Sequence, residues 1–142
     1  MIIGYTTGVF DLFHIGHLKI LNRARENCDF LIVGVTTDDL MMKYKKKTCV
    51  IPFKERSKIV ASIKSVDKVV AQDSMDKLEA WKKYKFNKMF VGDDWKGTEK
   101  WKKIEKEMNS FGVEVIFFPY TKGTSSTIIN KTLEKLRGNE LY

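Results

Sequence analysis

The chain alternates two hydrophobic periods from one end to the other. Ile2 to Thr7 is short, apolar and β-branched, as a strand would be. Ile15, Leu18, Leu21 and Ala24 recur at helical spacing, which predicts a helix over Ile15 to Asn27. Phe30 to Thr36 is a continuous apolar run, the pattern of a strand buried on both faces. Pro52 suits the first turn of a helix, and the stretch behind it places Ile59, Val60 and Ile63 on one face. Val66 to Ala71 and Lys88 to Val91 read as strands, with a helix from Ser74 to Tyr84 between them. Thr98 to Ser110 is a charged surface helix, in which Lys100 to Lys106, like Lys82 and Lys83 before them, belong to solvated faces. Val113 to Phe118 is a strand, and Ser125 to Leu136 a closing helix that Gly138 can stop. The stretch 37–51 reads as a loop.

This alternation implies an α/β fold: one Rossmann-like, doubly wound, parallel five-stranded sheet with helices on both faces. Residues 1–142 read as a single domain without linker or internal repeat. Ligands of such sheets bind at the carboxyl ends of the strands, where strand order reverses. The loops of interest are therefore 8–17, 37–51, 92–97 and 119–127.

Composition adds exclusions. With 43% hydrophobic and 31% charged residues, the 142-residue chain is neither disordered nor of low complexity. No apolar run approaches the roughly 18 residues of a membrane helix. The N-terminus has no basic region before its apolar stretch, so it does not read as a signal peptide. A soluble cytoplasmic protein is expected, with no membrane insertion. Cys28 and Cys49 read as reduced and structural, and Trp81 and Trp101 as core or interface residues, with the core preferred. The net charge is +8, from 26 basic residues of which only four are arginine. That excess fits nucleic acid, an anionic surface, phosphorylated small molecules or a solvated lysine-rich exterior, and does not choose among them. There is no RRM, KH or helix-turn-helix signature, so a nucleic-acid partner is not expected.

The chemistry concentrates in Gly8-Val9-Phe10-Asp11-Leu12-Phe13-His14-Ile15-Gly16-His17, between the first strand and the first helix. Both histidines of the chain lie here, three apart, on one face of a helix start. A helix N-terminus favours anions through its free N–H groups and its dipole. Gly16 lets a phosphate approach the backbone, and Gly8 permits a tight exit from the strand. The arrangement suits a polyphosphate, yet no GxxxxGK[ST] occurs, so it is not a P-loop. A second element, Gly123-Thr124-Ser125-Ser126-Thr127-Ile128-Ile129, can cap the last helix and offer hydroxyls to phosphate.

The first motif resembles the GxFDxxHxGH signature of the cytidylyltransferase-like nucleotidylyltransferases, and the second resembles that family's Ser/Thr element. Gly92-Asp93-Asp94-Trp95 is similar to the glycerol-3-phosphate cytidylyltransferases in particular; the choline- and ethanolamine-phosphate enzymes share GDD but usually not the tryptophan. The resemblance spans about residues 4 to 136. It implies transfer of CMP from CTP to an alcohol phosphate, most simply sn-glycerol 3-phosphate, giving CDP-glycerol and pyrophosphate for a surface polymer such as a teichoic acid. It implies catalytic roles for His14, His17 and Lys46. It places Gly8, Val9, Phe10, Asp11, Ile15, Gly16, Arg56, Asp94, Tyr120, Thr121, Gly123, Ser125, Ser126 and Thr127 against the nucleotide, and Tyr44, Lys77 and Trp95 on the acceptor side. Mg²⁺ is implied with CTP; Asp11 or Asp94 would be the nearby carboxylate, each equally placed to orient a lysine or cap a turn. A homodimer is the family's usual state.

Several positions depart from the pattern. Tyr120 stands for an arginine, Lys122 for a glutamate, Tyr44 for an acceptor-binding lysine and Lys64 for an arginine, and the 48–53 loop is one residue longer. They leave open phosphocholine or phosphoethanolamine as acceptor, and the heptose-phosphate adenylyltransferases share the first and last motifs. A basic nucleic-acid-binding domain is the distant alternative.

Overall fold

The structure, a computed structural model, describes residues 1–119 and 132–136. Strands Ile3–Gly8 (β1), Phe30–Thr36 (β2), Lys68–Gln72 (β3), Lys88–Gly92 (β4) and Glu114–Phe118 (β5) form one sheet in the order β3-β2-β1-β4-β5. Every neighbouring pair is parallel. Helices Ile15–Glu26 (α1), Asp38–Lys45 (α2), Phe53–Ala61 (α3), Lys77–Tyr84 (α4) and Glu99–Ser110 (α5) connect them, and residues 132–136 are helical.

Side chains of successive strand residues go to opposite faces. Leu31, Val33 and Val35 of β2, with Phe90 and Phe118, pack against Leu21 and Ala24 of α1 and Val60 of α3. Ile32, Met89 and Val115, with Tyr5, pack on the other side against Met108 of α5, Phe86 and Val113, flanked by Ala80 and Trp81 of α4 and Trp101 of α5. The helices thus cover both faces, and the apolar run of β2 is explained by its two buried sides. Gly4 leaves room for Phe90 and Cys28, from which an added Cβ would stand 2.6 Å (Cε2) and 2.7 Å (Sγ).

The stretch 37–51, expected as a loop, carries α2. Thr37 caps it, its Oγ1 accepting from the Leu40 N–H at 3.1 Å. Asp38 and Asp39 complement the helix dipole, Leu40 is buried, and Lys46 ends the helix in a left-handed turn at φ 54°. The helix expected from Ser74 begins at Lys77, because the Asp76 carboxylate caps the Leu78 and Glu79 N–H groups. In α3, Pro52 is the N-cap rather than a first-turn residue. Val60 and Ile63 pack inward, whereas Ile59 remains 40% exposed. Cys28 and Cys49 are both free thiols.

Candidate active site

The turn between β1 and α1 is built by its own histidines. His14 is the N-cap of α1, in extended backbone, and its Nδ1 accepts from the Gly16 N–H at 3.0 Å. His17 returns the bond: its Nδ1 accepts from the His14 N–H at 3.2 Å. The spacing of three is that of a reciprocal capping box, with imidazoles where a hydroxyl and a carboxylate usually stand. This bonding fixes the tautomer. A nitrogen that accepts cannot hold the proton, so each neutral ring carries it on Nε2. The two rings stack with centroids 4.0 Å apart. Phe10 and Phe13 lie 5.4 Å and 5.2 Å from His17.

Burial lowers the pKa of His14. Burial first, and then the His14 ring, push His17 down to about 4, with Asp11 opposing. At neutral pH the pair is therefore uncharged and presents two Nε2–H donors. A stability consequence follows from linkage. The unfolded chain binds a proton at His17 near pH 6.5, whereas the folded chain binds it near 4. Stability therefore falls as pH drops through that window. Urea unfolding at pH 4.5, 5.5, 6.5 and 7.5 should show this slope, and His17→Asn should lose up to one proton of it; an unchanged slope would place the titration elsewhere.

The residues around the histidines are strained and tied down. Phe10 and Leu12 adopt left-handed backbone at φ 54° and 52°, which costs about 1–2 kcal/mol apiece for residues with a Cβ. Buried Asp11 counters this by crossing to the 46–52 loop. Its two carboxylate oxygens accept from the Val50 N–H at 2.8 Å and the Ile51 N–H at 2.9 Å. Arg56, with a fully buried side chain, donates to Val9 O at 2.6 Å, Thr36 O at 2.8 Å, Ile51 O at 2.7 Å and Asp38 Oδ1 at 2.6 Å. One guanidinium thus joins the turn after β1, the end of β2, the 46–52 loop and the start of α2.

In front of this frame lies a cavity of about 360 Å³ at the carboxyl ends of β1 and β4, where the strand order reverses. Gly8, Val9, Phe10, His17, Tyr44, Lys77 and Asp94, all expected at the site, line it. His14 adjoins it through its stack on His17. Gly16 is buried in the cap and Ile15 is 52% exposed at the start of α1. Asp11 and Arg56, expected against nucleotide or metal, instead hold the frame. Lys46, expected at the phosphates, is exposed at the end of α2 and does not line the cavity; its neighbour Lys45 does. Trp95 ends a one-turn 3-10 helix, Asp93–Trp95, and its side chain is outside the description. Tyr120, Thr121, Gly123, Ser125, Ser126 and Thr127 lie outside the described residues.

Sequence reasoning missed several lining groups. Thr36 and Gln72 are polar residues ending apolar strands, and that was their signal. Thr36 Oγ1 donates to Gln72 Oε1 at 2.8 Å, so both are satisfied within the wall. Lys77 Nζ reaches Thr7 Oγ1 at 3.4 Å, and burial, then the charge of Lys100, lowers its pKa to about 8. Trp101, expected in the core or at an interface, also lines the cavity. No described helix is long and apolar enough to cross a membrane.

Known proteins supply the last observation. A family model described as cytidylyltransferase-like matches residues 5–132. The chain is 36% identical over 132 residues to the glycerol-3-phosphate cytidylyltransferase of Bacillus spizizenii, covering 92% of this chain and 96% of that one. It is 31% identical to the protein of that name in Bacillus subtilis, with the same coverage. Among solved structures it is similar to the lipopolysaccharide core biosynthesis protein of Thermoplasma volcanium, at 25% identity and a TM-score of 0.71, over 87% of this chain and 99% of that one.

Proposed function

The chain belongs to the cytidylyltransferase-like family, and on that premise we propose that it transfers CMP from CTP to sn-glycerol 3-phosphate, releasing CDP-glycerol and pyrophosphate. The observation that carries the reading is the pair of neutral histidines, each holding its Nε2–H free of the cap at the edge of the switch-point cavity. The relatives that bear the name of this activity match nearly end to end, which favours this acceptor over phosphocholine, phosphoethanolamine or a sugar phosphate.

In this reading the triphosphate lies over the N-terminus of α1, where the helix dipole favours its charge. His14 and His17 donate to its oxygens. A phosphate oxygen of the acceptor attacks the α-phosphorus in line, the bond to the bridging oxygen breaks, and pyrophosphate leaves with the electron pair. No covalent enzyme intermediate and no proton transfer to histidine are required, so the chain's contribution is positioning and charge stabilisation. Lys46 is exposed at the end of α2 and is not among the described lining residues, whereas its neighbour Lys45 is. The Ser/Thr element 123–127 supplies further phosphate contacts in this reading.

Mg²⁺ fits as a companion of CTP. Both Asp11 oxygens accept backbone N–H groups, while Asp94 is the carboxylate among the described lining residues. One carboxylate plus substrate phosphates is an ordinary Mg²⁺ environment. Bound there, the ion would neutralise phosphate charge, and Asp94 would hold it. The reading carries with it a cytoplasmic homodimer feeding a surface polymer, with the dimer checked by sedimentation.

The test crosses CTP, ATP, GTP and UTP with glycerol 3-phosphate, phosphocholine, phosphoethanolamine and a heptose phosphate, and measures pyrophosphate with Mg²⁺. Release only with CTP and glycerol 3-phosphate is expected. Release only with ATP and the heptose phosphate would overturn both substrates at once.

A further inference from the structure

The cavity has a basic side that the histidines do not account for. Lys77 lines it from the start of α4, and Lys100, on the first turn of α5, touches the lining residue Tyr44. Lys100 was expected on a solvated face. It is exposed, but its ammonium donates to Tyr44 Oη at 3.2 Å and lies 5.6 Å from the Tyr44 ring centre. That contact joins α5 to Tyr44, the α2 residue that lines the cavity. Other lysines of α5 behave as solvated residues: Lys102 pairs loosely with Glu99 on its own helix. Among the described residues, neither Lys77 nor Lys100 has a carboxylate partner; Lys77 donates to Thr7 and Lys100 to Tyr44. Asp94 lines the same cavity, so the basic side is not simply the whole cavity wall.

A buried ammonium whose bonding partner is a neutral hydroxyl, as at Lys77, is unfavourable without an anion beside it. Burial first, and then the charge of Lys100, disfavour the charged form of Lys77. A doubly charged phosphomonoester would relieve both. We propose that Lys100, oriented by Tyr44, is the second cation that binds the acceptor's phosphate opposite Lys77. Position 44 would then have given up its own charge and become the residue that aims a lysine from α5. Lys100 is a binding residue in this account and Tyr44 a positioning residue. The inference rests on the proposed reaction for the name of the acceptor but not for the presence of an anion site.

The experiment is steady-state kinetics with CTP and glycerol 3-phosphate on the wild type, Lys100→Ala, Tyr44→Phe and the double variant Tyr44→Lys/Lys100→Ala. Loss of one charge-assisted contact should raise the KM for glycerol 3-phosphate about tenfold or more in Lys100→Ala, with the KM for CTP within about twofold. Tyr44→Phe should show a smaller rise of the same kind. Returning a lysine at position 44 should recover most of the lost affinity, which a purely structural role for Lys100 would not produce. An unchanged acceptor KM in Lys100→Ala would overturn the proposal, as would equal losses for CTP and acceptor. If the wild type turns over no glycerol 3-phosphate, the proposed reaction fails separately. Calorimetry with inorganic phosphate then decides: weaker binding in both Lys77→Ala and Lys100→Ala supports the site, and wild-type binding in Lys100→Ala overturns it.

Discussion

His17→Asn should yield a folded protein whose kcat for pyrophosphate release is lower by about 10²–10³, the effect of removing one preorganised donor to a developing anion. Asparagine separates the two duties of this residue. Its side-chain carbonyl sits close to where Nδ1 was, so it can still accept the His14 N–H and keep the capping bond. Its side chain is too short to reach the Nε2 position, so the phosphate loses its donor. His14→Asn works the same way, because asparagine is among the preferred N-cap residues. Glutamine reverses the exchange. It extends an amide N–H toward the Nε2 position but offers no acceptor at Nδ1, so His17→Gln should recover part of the rate while losing about 1 kcal/mol of stability. Thermal melts beside rate measurements on these variants check the assignment. If His17→Asn lost stability and kept its rate, the histidines would be caps and nothing more.

That experiment also shows why the site could be read from sequence. His14 and His17 lie within one turn of each other, and their relation is local: a strand end, a glycine and a spacing of three suffice to locate them. The same holds for the sheet, because its strands are short apolar runs and the crossover rule leaves few topologies. What escaped was set by distant pairings or by caps. The helix α2 has eight residues and just one that is buried, Leu40, so it has little apolar period to detect; its Thr-Asp-Asp start was the available sign. The resemblance places Asp11 and Arg56 against the nucleotide or its metal. In the structure they bond backbone groups up to 47 residues away, and Arg56 the Asp38 carboxylate as well, pairings that no local pattern encodes. In sequence Lys100 is like every other lysine of its helix, and only its contact with Tyr44 sets it apart.

Arg56→Ala should destabilise the protein by about 3 kcal/mol or more, because each buried acceptor left without its donor costs roughly 1–3 kcal/mol. The loss has identifiable parts. Three carbonyl oxygens, at Val9, Thr36 and Ile51, lose their donor, and a cavity opens where a fully buried side chain stood. Asp38 is half exposed and can turn to water, so it adds little of the cost. Lysine cannot replace the arginine, because one ammonium cannot satisfy acceptors spread around a planar fork. Arg56→Lys should therefore remain about 2 kcal/mol or more below the wild type. Urea unfolding without ligand makes the decisive comparison. A residue whose role was to touch nucleotide would leave the ligand-free midpoint in place and weaken only CTP binding. A residue that ties four segments together lowers the midpoint first, and weakens CTP binding second, because the Val9 turn that faces the cavity has lost its anchor. Wild-type stability in ligand-free Arg56→Lys, paired with lost CTP affinity, would return Arg56 to the nucleotide and leave the frame to Asp11 alone.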